Sequence, residues 1–254
     1  MSDPASDRTT VPEGNAGNAL YKKDFWSEEN LKYSRPHFRM EKASRLINRL
    51  ARGRDRTLLD VGCGPGLLER VLDRGRWHVT GIEMAPYIAD FGRARLGTNV
   101  LAARLEDANL PPASFDVVVM KYVLDHMEEP FAALQKARRV IKPDGLLVIA
   151  DLINIESFCA RWFADGFRLI HPMHFTYFSP RTITLHLGRA GFAVQRIDYP
   201  YFGTPYCTLS GLGTLAWRIV RRGILRALGS RQRVFSPPFY GNMMDVWAVP
   251  TGSS

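Results

Sequence analysis

The chain is short of the residues that mark a special class of protein. Only 3 of its 254 residues are cysteine, Cys63, Cys159 and Cys207. Their irregular spacing excludes a disulfide framework and any Cys-based metal pattern, and it fits a reducing cytoplasm. No uninterrupted apolar run approaches the ~18 residues that a spanning helix needs. The first residues, including Asp3, Asp7 and Arg8, lack the apolar segment of a secretory signal, so none is expected. There is no internal repeat, no phosphate-binding G-K-[ST] motif and no nucleophilic Cys pairing. No sequence cluster of metal ligands stands out, so no metal is expected. Acidic residues are outnumbered, 25 against 34 Lys and Arg, giving a net charge of +9. That balance favours an acidic partner such as nucleic acid, anionic lipid or an acidic or phosphorylated substrate. The plain alternative is a basic soluble protein. An apolar fraction of 46% is ordinary for a globular chain. The length suffices for one large domain, or one domain with a cap.

Against that background one stretch stands out. Leu58-Leu59-Asp60-Val61 reads as the end of a buried parallel strand. Gly62, Gly64 and Gly66 follow within five residues, and Leu67, Leu68, Val71 and Leu72 then recur at helical spacing. Strand, glycine turn and helix open a nucleotide-binding α/β unit. The pattern is G-x-G-x-G, with Leu67 where a dinucleotide fingerprint has its third glycine, which disfavours a dehydrogenase. Asp60 beside the turn is a poor neighbour for a pyrophosphate and a good one for a cationic ligand. A second strand, His78 to Ile82, ends in Glu83, about 20 residues after Gly62, the place from which an acid holds ribose hydroxyls. The site asks for a ribose and a positive charge without a diphosphate.

Asp60-Val61-Gly62-Cys63-Gly64-Pro65-Gly66 resembles motif I of class I S-adenosylmethionine-dependent methyltransferases. Further stretches match in order. Glu83 ends the second strand, and Leu105 to Pro111 resembles the acidic adenine loop. Ser114 to Met120 with Val123-Leu124-Asp125-His126 resembles motif IV, and Arg139 to Ile149 the closing helix-turn-strand. The resemblance covers residues 55 to 151 well and the rest loosely. It implies an α/β fold with a Rossmann-like seven-stranded, mostly parallel sheet, helices on both faces and the last strand antiparallel. It implies S-adenosyl-L-methionine as cofactor and S-adenosyl-L-homocysteine as product.

In chain order, residues 1–20 are expected to be a disordered tail. Residues 21–55 read as an N-terminal helical lid with a helix near 36–52, or else as a helix packed on the sheet edge. Residues 56–151 form the cofactor core, with strands near 57–61, 77–82, 99–102, 115–120 and 145–151 and helices near 65–75, 85–95 and 128–142. Residues 152–254 hold an acceptor-side aromatic insertion to about 180 and a helix starting at Ser179-Pro180-Arg181-Thr182 and stopped by Gly191. They also hold strands at 192–198 and 243–249 and a basic amphipathic helix, Leu212 to Val234. On that helix Ala216, Trp217, Val220, Ile224, Ala227 and Leu228 share a face, while Arg218, Arg221, Arg222 and Arg226 lie on the other side. It could lie peripherally on an anionic inner-membrane surface, or pack on the protein or a partner subunit.

The resemblance assigns cofactor binding to Asp60, Gly62, Cys63, Gly64 and Gly66 at the methionine end and to Glu83 with Met84 after the second strand. Glu106 would face the adenine amino group and Asp107 would offer its N–H to the ring; solvated acids are the alternative. Lys121 and Tyr122 would line the methyl end. Methyl transfer is an in-line displacement in which alignment of the acceptor counts most, and an oxygen acceptor also needs a base. Histidine suits that task near neutrality, so His126, His171 and His174 are candidates, with Asp151 at the end of the fifth strand as a fourth; a plain packed or surface histidine is the alternative for each of the three. The leading reading is O-methylation of a small-molecule acceptor such as a quinone, secondary metabolite, sugar or lipid-linked compound, apolar or anionic. The absence of an Asp/Asn-Pro-Pro-Tyr motif and of an added binding domain disfavours the rival reading, a nucleic-acid methyltransferase. A non-catalytic S-adenosylmethionine-binding protein is the third.

Overall fold

The computed structural model describes residue 47 and residues 56–72, 75–202 and 207–252. The expected tail and lid, apart from Ile47, therefore lie outside the described residues. Strands β1 (Arg56–Val61), β2 (Trp77–Glu83), β3 (Val100–Ala102), β4 (Phe115–Lys121), β5 (Ile141–Ile153), β6 (Phe192–Asp198) and β7 (Met243–Pro250) form one sheet. Its order is β3-β2-β1-β4-β5-β7-β6. β1 runs parallel to β2 and β4, and β2 to β3. β7 is antiparallel to both β5 and β6. The expected seven-stranded Rossmann-like sheet with an antiparallel last strand is therefore present. β4 is buried along its whole length and β1 from Leu58 onward, which requires apolar residues on both faces of a parallel strand.

The chain divides into two compact units, and each has its own core. The first comprises Met1–Met120 and Arg139–Gly145. Leu58, Leu59, Val61, Ile82, Ile88, Val100, Val117 and Val119 are its buried centre. Helix α1 (Leu67–Val71) is shorter than expected, because Leu72 already takes an extended conformation. Helix α2 (Pro86–Phe91) runs on as a π-helical turn over Gly92–Leu96. The Asp116 carboxylate accepts from the Thr57 N–H and the Lys142 ammonium, both at 2.8 Å, and from the Thr57 hydroxyl at 2.9 Å. Burial pushes this carboxyl up, but Lys142 and the Thr57 donors outweigh it and hold it below the ordinary range.

The second unit comprises Lys121–Arg138 and Leu146–Ser254. Most of helix α3 (Pro130–Val140) belongs to it, with α4 (Phe158–Phe163), α5 (Pro180–Arg189) and α6 (Leu209–Ala227). The start of α5 falls where the sequence places it. Ser179 accepts from the Thr182 N–H while the Thr182 hydroxyl accepts from the Ser179 N–H, a reciprocal cap. β5 continues to Ile153 because β7 offers partners that far, Ile153 opposite Met243, across a register shift between Ile149 and Leu152. The aromatic insertion is partly core. Phe163 and Phe167 pack with Ile153, Cys159, Leu215 and Val234, so these rings stabilise the unit rather than lining an acceptor wall.

Helix α6 departs from its expected bounds and orientation. It starts at a Thr208 cap and ends before Gly229, whose φ of +66° is the left-handed conformation that stops a helix. Leu215, Ile219 and Leu225 face the unit's core, Leu225 from the side of the helix that also carries the arginines. Arg222 also turns inward, donating to the Trp162 carbonyl at 2.8 Å and to Asp165 at 3.1 Å. The stripe Leu212, Trp217, Val220, Ile224 and Leu228 is exposed, Trp217 at 64% and Leu228 at 75%.

Candidate active site

The turn after β1 is shaped by its glycines. Gly62, Gly64 and Gly66 all have positive φ, at +68°, +56° and +83°. At Gly66 the constraint is double, since an added Cβ would lie 2.7 Å from the Thr98 Cβ. Thr98 in turn donates its hydroxyl to the Pro65 carbonyl at 2.8 Å, tying the turn down. The Cys63 thiol points inward and packs with Ala89 and Val100, so any part it takes in ligand binding falls to its backbone. Burial pushes that thiol well up, and the charges of Asp60 and Glu83 add to the effect. It is a packing group rather than a nucleophile.

Glu83, the last residue of β2, is buried and reaches back to the turn. One carboxylate oxygen accepts the Gly64 N–H at 3.1 Å and the other the Ala85 N–H at 2.9 Å. Burial raises its pKa, and the N–H groups of Ala85, Gly64 and Met84 oppose that rise. A carboxylate held this way still has lone-pair capacity left for a ribose hydroxyl. Asp60 is buried at the end of β1, whereas Met84, Glu106 and Asp107 are exposed. The side chain of Glu106 lies 3.8 Å from Arg104.

Lys121, Tyr122 and Asp151 belong together. The Lys121 ammonium forms a buried ion pair with Asp151 and lies 4.4 Å from the Tyr122 ring centroid. The Asp151 N–H donates to Asp245 at 2.8 Å. Tyr122 and Asp151 both hold positive φ, +53° and +55°. The Asp151 carboxylate is thus engaged by a buried ammonium, a poor state for a general base.

The three candidate histidines converge. The turn Leu124–His126 after β4 meets residues 171–178 through the Asp125 carbonyl, which accepts from Phe175 at 2.9 Å and Thr176 at 3.3 Å. The rings of His126 and His174 are 4.3 Å apart, and those of His171 and His174 6.2 Å. The Tyr177 hydroxyl donates to the His171 carbonyl and accepts its N–H, both at 3.0 Å. Burial lowers the His174 pKa to about 4, helped by His126 and His171, so its ring is neutral at physiological pH. Asp125, for which no role was expected, joins the cluster with its carboxylate 3.8 Å from the His174 ring. Its burial raises its pKa, with His126 opposing. A hint was available, for Asp125 directly precedes His126, but nothing in the sequence says that His174 returns to the same turn.

Comparisons with known proteins bear on the family and the fold. A family model described as a methyltransferase domain matches residues 36–197, more than half of the chain. A ubiquinone biosynthesis O-methyltransferase of Neisseria meningitidis serogroup C is 35% identical over 107 residues, 39% of this chain and 45% of that protein. The enzyme of the same name from Xanthomonas campestris is 33% identical over 101 residues, 37% and 42% of the two chains. The match therefore spans less than half the length of these relatives. Among solved structures, an S-adenosylmethionine-dependent methyltransferase from Thermotoga maritima superposes with a TM-score of 0.58. It is 19% identical and covers 92% of this chain and 100% of its own. A Burkholderia thailandensis 1,6-didemethyltoxoflavin-N1-methyltransferase, solved with S-adenosylhomocysteine, gives 0.54 at 18% identity over 96% and 93% of the chains. These structural likenesses speak to the fold. With the family match across residues 36–197, the resemblance carried by Asp60–Gly66 is borne out, and the chain belongs to the methyltransferase-domain family of class I S-adenosylmethionine-dependent methyltransferases.

Proposed function

We propose that this protein transfers a methyl group from S-adenosylmethionine to an oxygen of a small-molecule acceptor. The observation that carries the reading is the buried Glu83 carboxylate fixed by the Gly64 and Ala85 amides beside a turn whose glycines hold positive φ. Such a group suits ribose hydroxyls, and Asp60 suits the cationic end of the cofactor. Gly62, Cys63, Gly64 and Gly66 would approach the ligand through their backbone, with Met84 beside them. Glu106 and Asp107 would take the adenine, and Lys121 and Tyr122 the methyl end. The names of the 33–35% identical relatives support a quinol-type phenolic oxygen as acceptor. The His126–His171–His174 cluster supports an acceptor that must lose a proton before it attacks the methyl carbon.

The test is transfer of labelled methyl from adenosylmethionine into a cell extract, with lipid, small-molecule, protein and nucleic-acid fractions counted separately. Label in the lipid or small-molecule fraction, recovered as an aryl methyl ether, is the expected result. Label confined to nucleic acid would overturn the reading and give the net charge of +9 a different use. Cofactor binding without transfer to any fraction would favour a non-catalytic binder.

Helix α6 supports a second element of the proposal. Its exposed stripe is flanked by Arg221 and Arg226, also exposed. An apolar face with an interfacial tryptophan and arginines beside it suits contact with an anionic bilayer surface from the cytoplasmic side. No helix of the described residues is long and apolar enough to cross a membrane. Cosedimentation with vesicles of anionic against zwitterionic lipid tests this contact, and equal partition to both would remove the arginines from the account.

A further inference from the structure

We infer that Asp125, His126 and His174 form a binding site for a divalent transition-metal cation. Three kinds of observation converge on it. First, one ligand atom from each of the three residues can be chosen so that all lie within 4.8 Å of one another. Two imidazoles and a carboxylate around one point are a donor set suited to Zn²⁺, Fe²⁺ or Co²⁺ and poor for Mg²⁺ or Ca²⁺. Second, two of the three residues carry buried polar atoms without a partner. Asp125 is 1% exposed, yet its Oδ1 has no hydrogen-bond partner among the described residues, and neither has His174 Nδ1. An unsatisfied carboxylate oxygen at that depth is costly unless a cation or another donor meets it. Third, the outer contacts suit ligation. His126 Nδ1 lies 3.1 Å from the Met173 carbonyl. Donation there fixes the tautomer and leaves Nε2 as the lone-pair donor, the arrangement common to metal-bound histidines. The Asp125 carbonyl is held by the amides of Phe175 and Thr176, so the turn and the His174 segment are fixed relative to each other.

Three protein ligands leave room for a further oxygen. If the proposed O-methylation is right, that oxygen is the acceptor's. The cation lowers the pKa of the bound hydroxyl, and its proton passes to a base; His171, outside the ligand set with its ring 6.2 Å from that of His174, is the candidate. The oxygen lone pair then forms the O–CH₃ bond while the C–S pair returns to sulfur. The role rests on that reading, whereas the binding of the cation does not.

The experiment measures Zn²⁺ binding to the full chain by competition with a chromophoric chelator, without cofactor or acceptor. One equivalent is expected. Asp125→Asn and His174→Gln should each weaken it by about 100-fold or more, since even outer-shell partners of metal sites are worth about 10–100-fold. His78→Gln, on the exposed side of β2, should leave it unchanged. Should the first two variants fail to fold, Co²⁺ added to the unaltered chain decides. Intense visible bands of a four- or five-coordinate imidazole site uphold the inference, and the weak spectrum of hydrated Co²⁺ overturns it. Wild-type affinity in Asp125→Asn, or no saturable Zn²⁺ binding by the wild type, also overturns it. Zn²⁺ binding without methyl transfer leaves the site standing and removes only its proposed role.

Discussion

The glycine turn with Glu83 and the histidine cluster are built in opposite ways. The turn is a local object. Gly62, Gly64 and Gly66 set their own backbone angles, and Glu83 is brought back by one strand–helix–strand unit whose parallel pairing puts Asp60 opposite Gly81. The cluster is assembled from residues 124–126 and 171–178, and its register depends on hydrogen bonds to the Asp125 carbonyl. A local object is specified by residue types at fixed spacing and can be read from them. An assembled one is specified by packing, which leaves no short pattern. The contrast predicts that substitutions in the turn act on folding and cofactor binding, while substitutions in the cluster spare both and act on chemistry.

The largest effect should come from Gly66→Ala. The substitution places a Cβ 2.7 Å from the Thr98 side chain on a residue with φ of +83°. The left-handed conformation costs about 1–2 kcal/mol for an L-residue, and overpacking adds roughly 1–3 kcal/mol. Urea unfolding should show a midpoint shifted accordingly. A stability equal to wild type would mean that the turn is not as rigid as its angles imply.

Next, Glu83→Ala should weaken S-adenosylhomocysteine binding by about 1–3 kcal/mol through lost charge-assisted hydrogen bonds. In the same calorimeter His174→Gln should bind as wild type does. If both variants lost affinity equally, the division between cofactor turn and acceptor cluster would be wrong.

Asp116→Asn probes whether the first unit's stability is electrostatic at its base. The folded carboxyl lies below its ordinary pKa, held there by Lys142 and Thr57 against burial. Its contribution is therefore complete above the unfolded value and is lost as pH falls through the folded one. The variant should lose about 2 kcal/mol at pH 7, the scale of hydrogen bonds to a charged group. It should approach wild type in acid. A pH-independent difference would assign the loss to packing.

These contrasts also account for what the sequence disclosed. The strands fell within a residue or two of expectation, except β5, because buried parallel strands are runs of apolar residues bounded by turns. The α5 cap was legible in Ser179 and Thr182 because it is made within four residues. Arg222 was not, because its partners Trp162 and Asp165 belong to another helix and the turn that follows it. Asp125 stands in the motif IV stretch without a role of its own, because an acid after a strand is common and only the return of His174 gives it this neighbour. The engagement of Asp151 by Lys121 likewise joins the ends of two strands distant in sequence.

The smallest effect on folding should come from the exposed face of α6, and it sharpens the comparison by adding a region with no internal partner. Leu215 is buried in the second unit's core and Trp217 is 64% exposed on the same helix. Leu215→Ala should cost about 2–5 kcal/mol, as truncations of buried leucine do. Trp217→Ser should change stability by no more than about 0.5 kcal/mol, as is usual for surface substitutions. If α6 is a membrane-surface helix, the serine variant should nonetheless release the protein from anionic vesicles, since an exposed ring contributes to a bilayer what it cannot contribute to the fold. A Trp217→Ser protein that unfolds as early as Leu215→Ala would instead mean that the stripe is already covered by the protein itself.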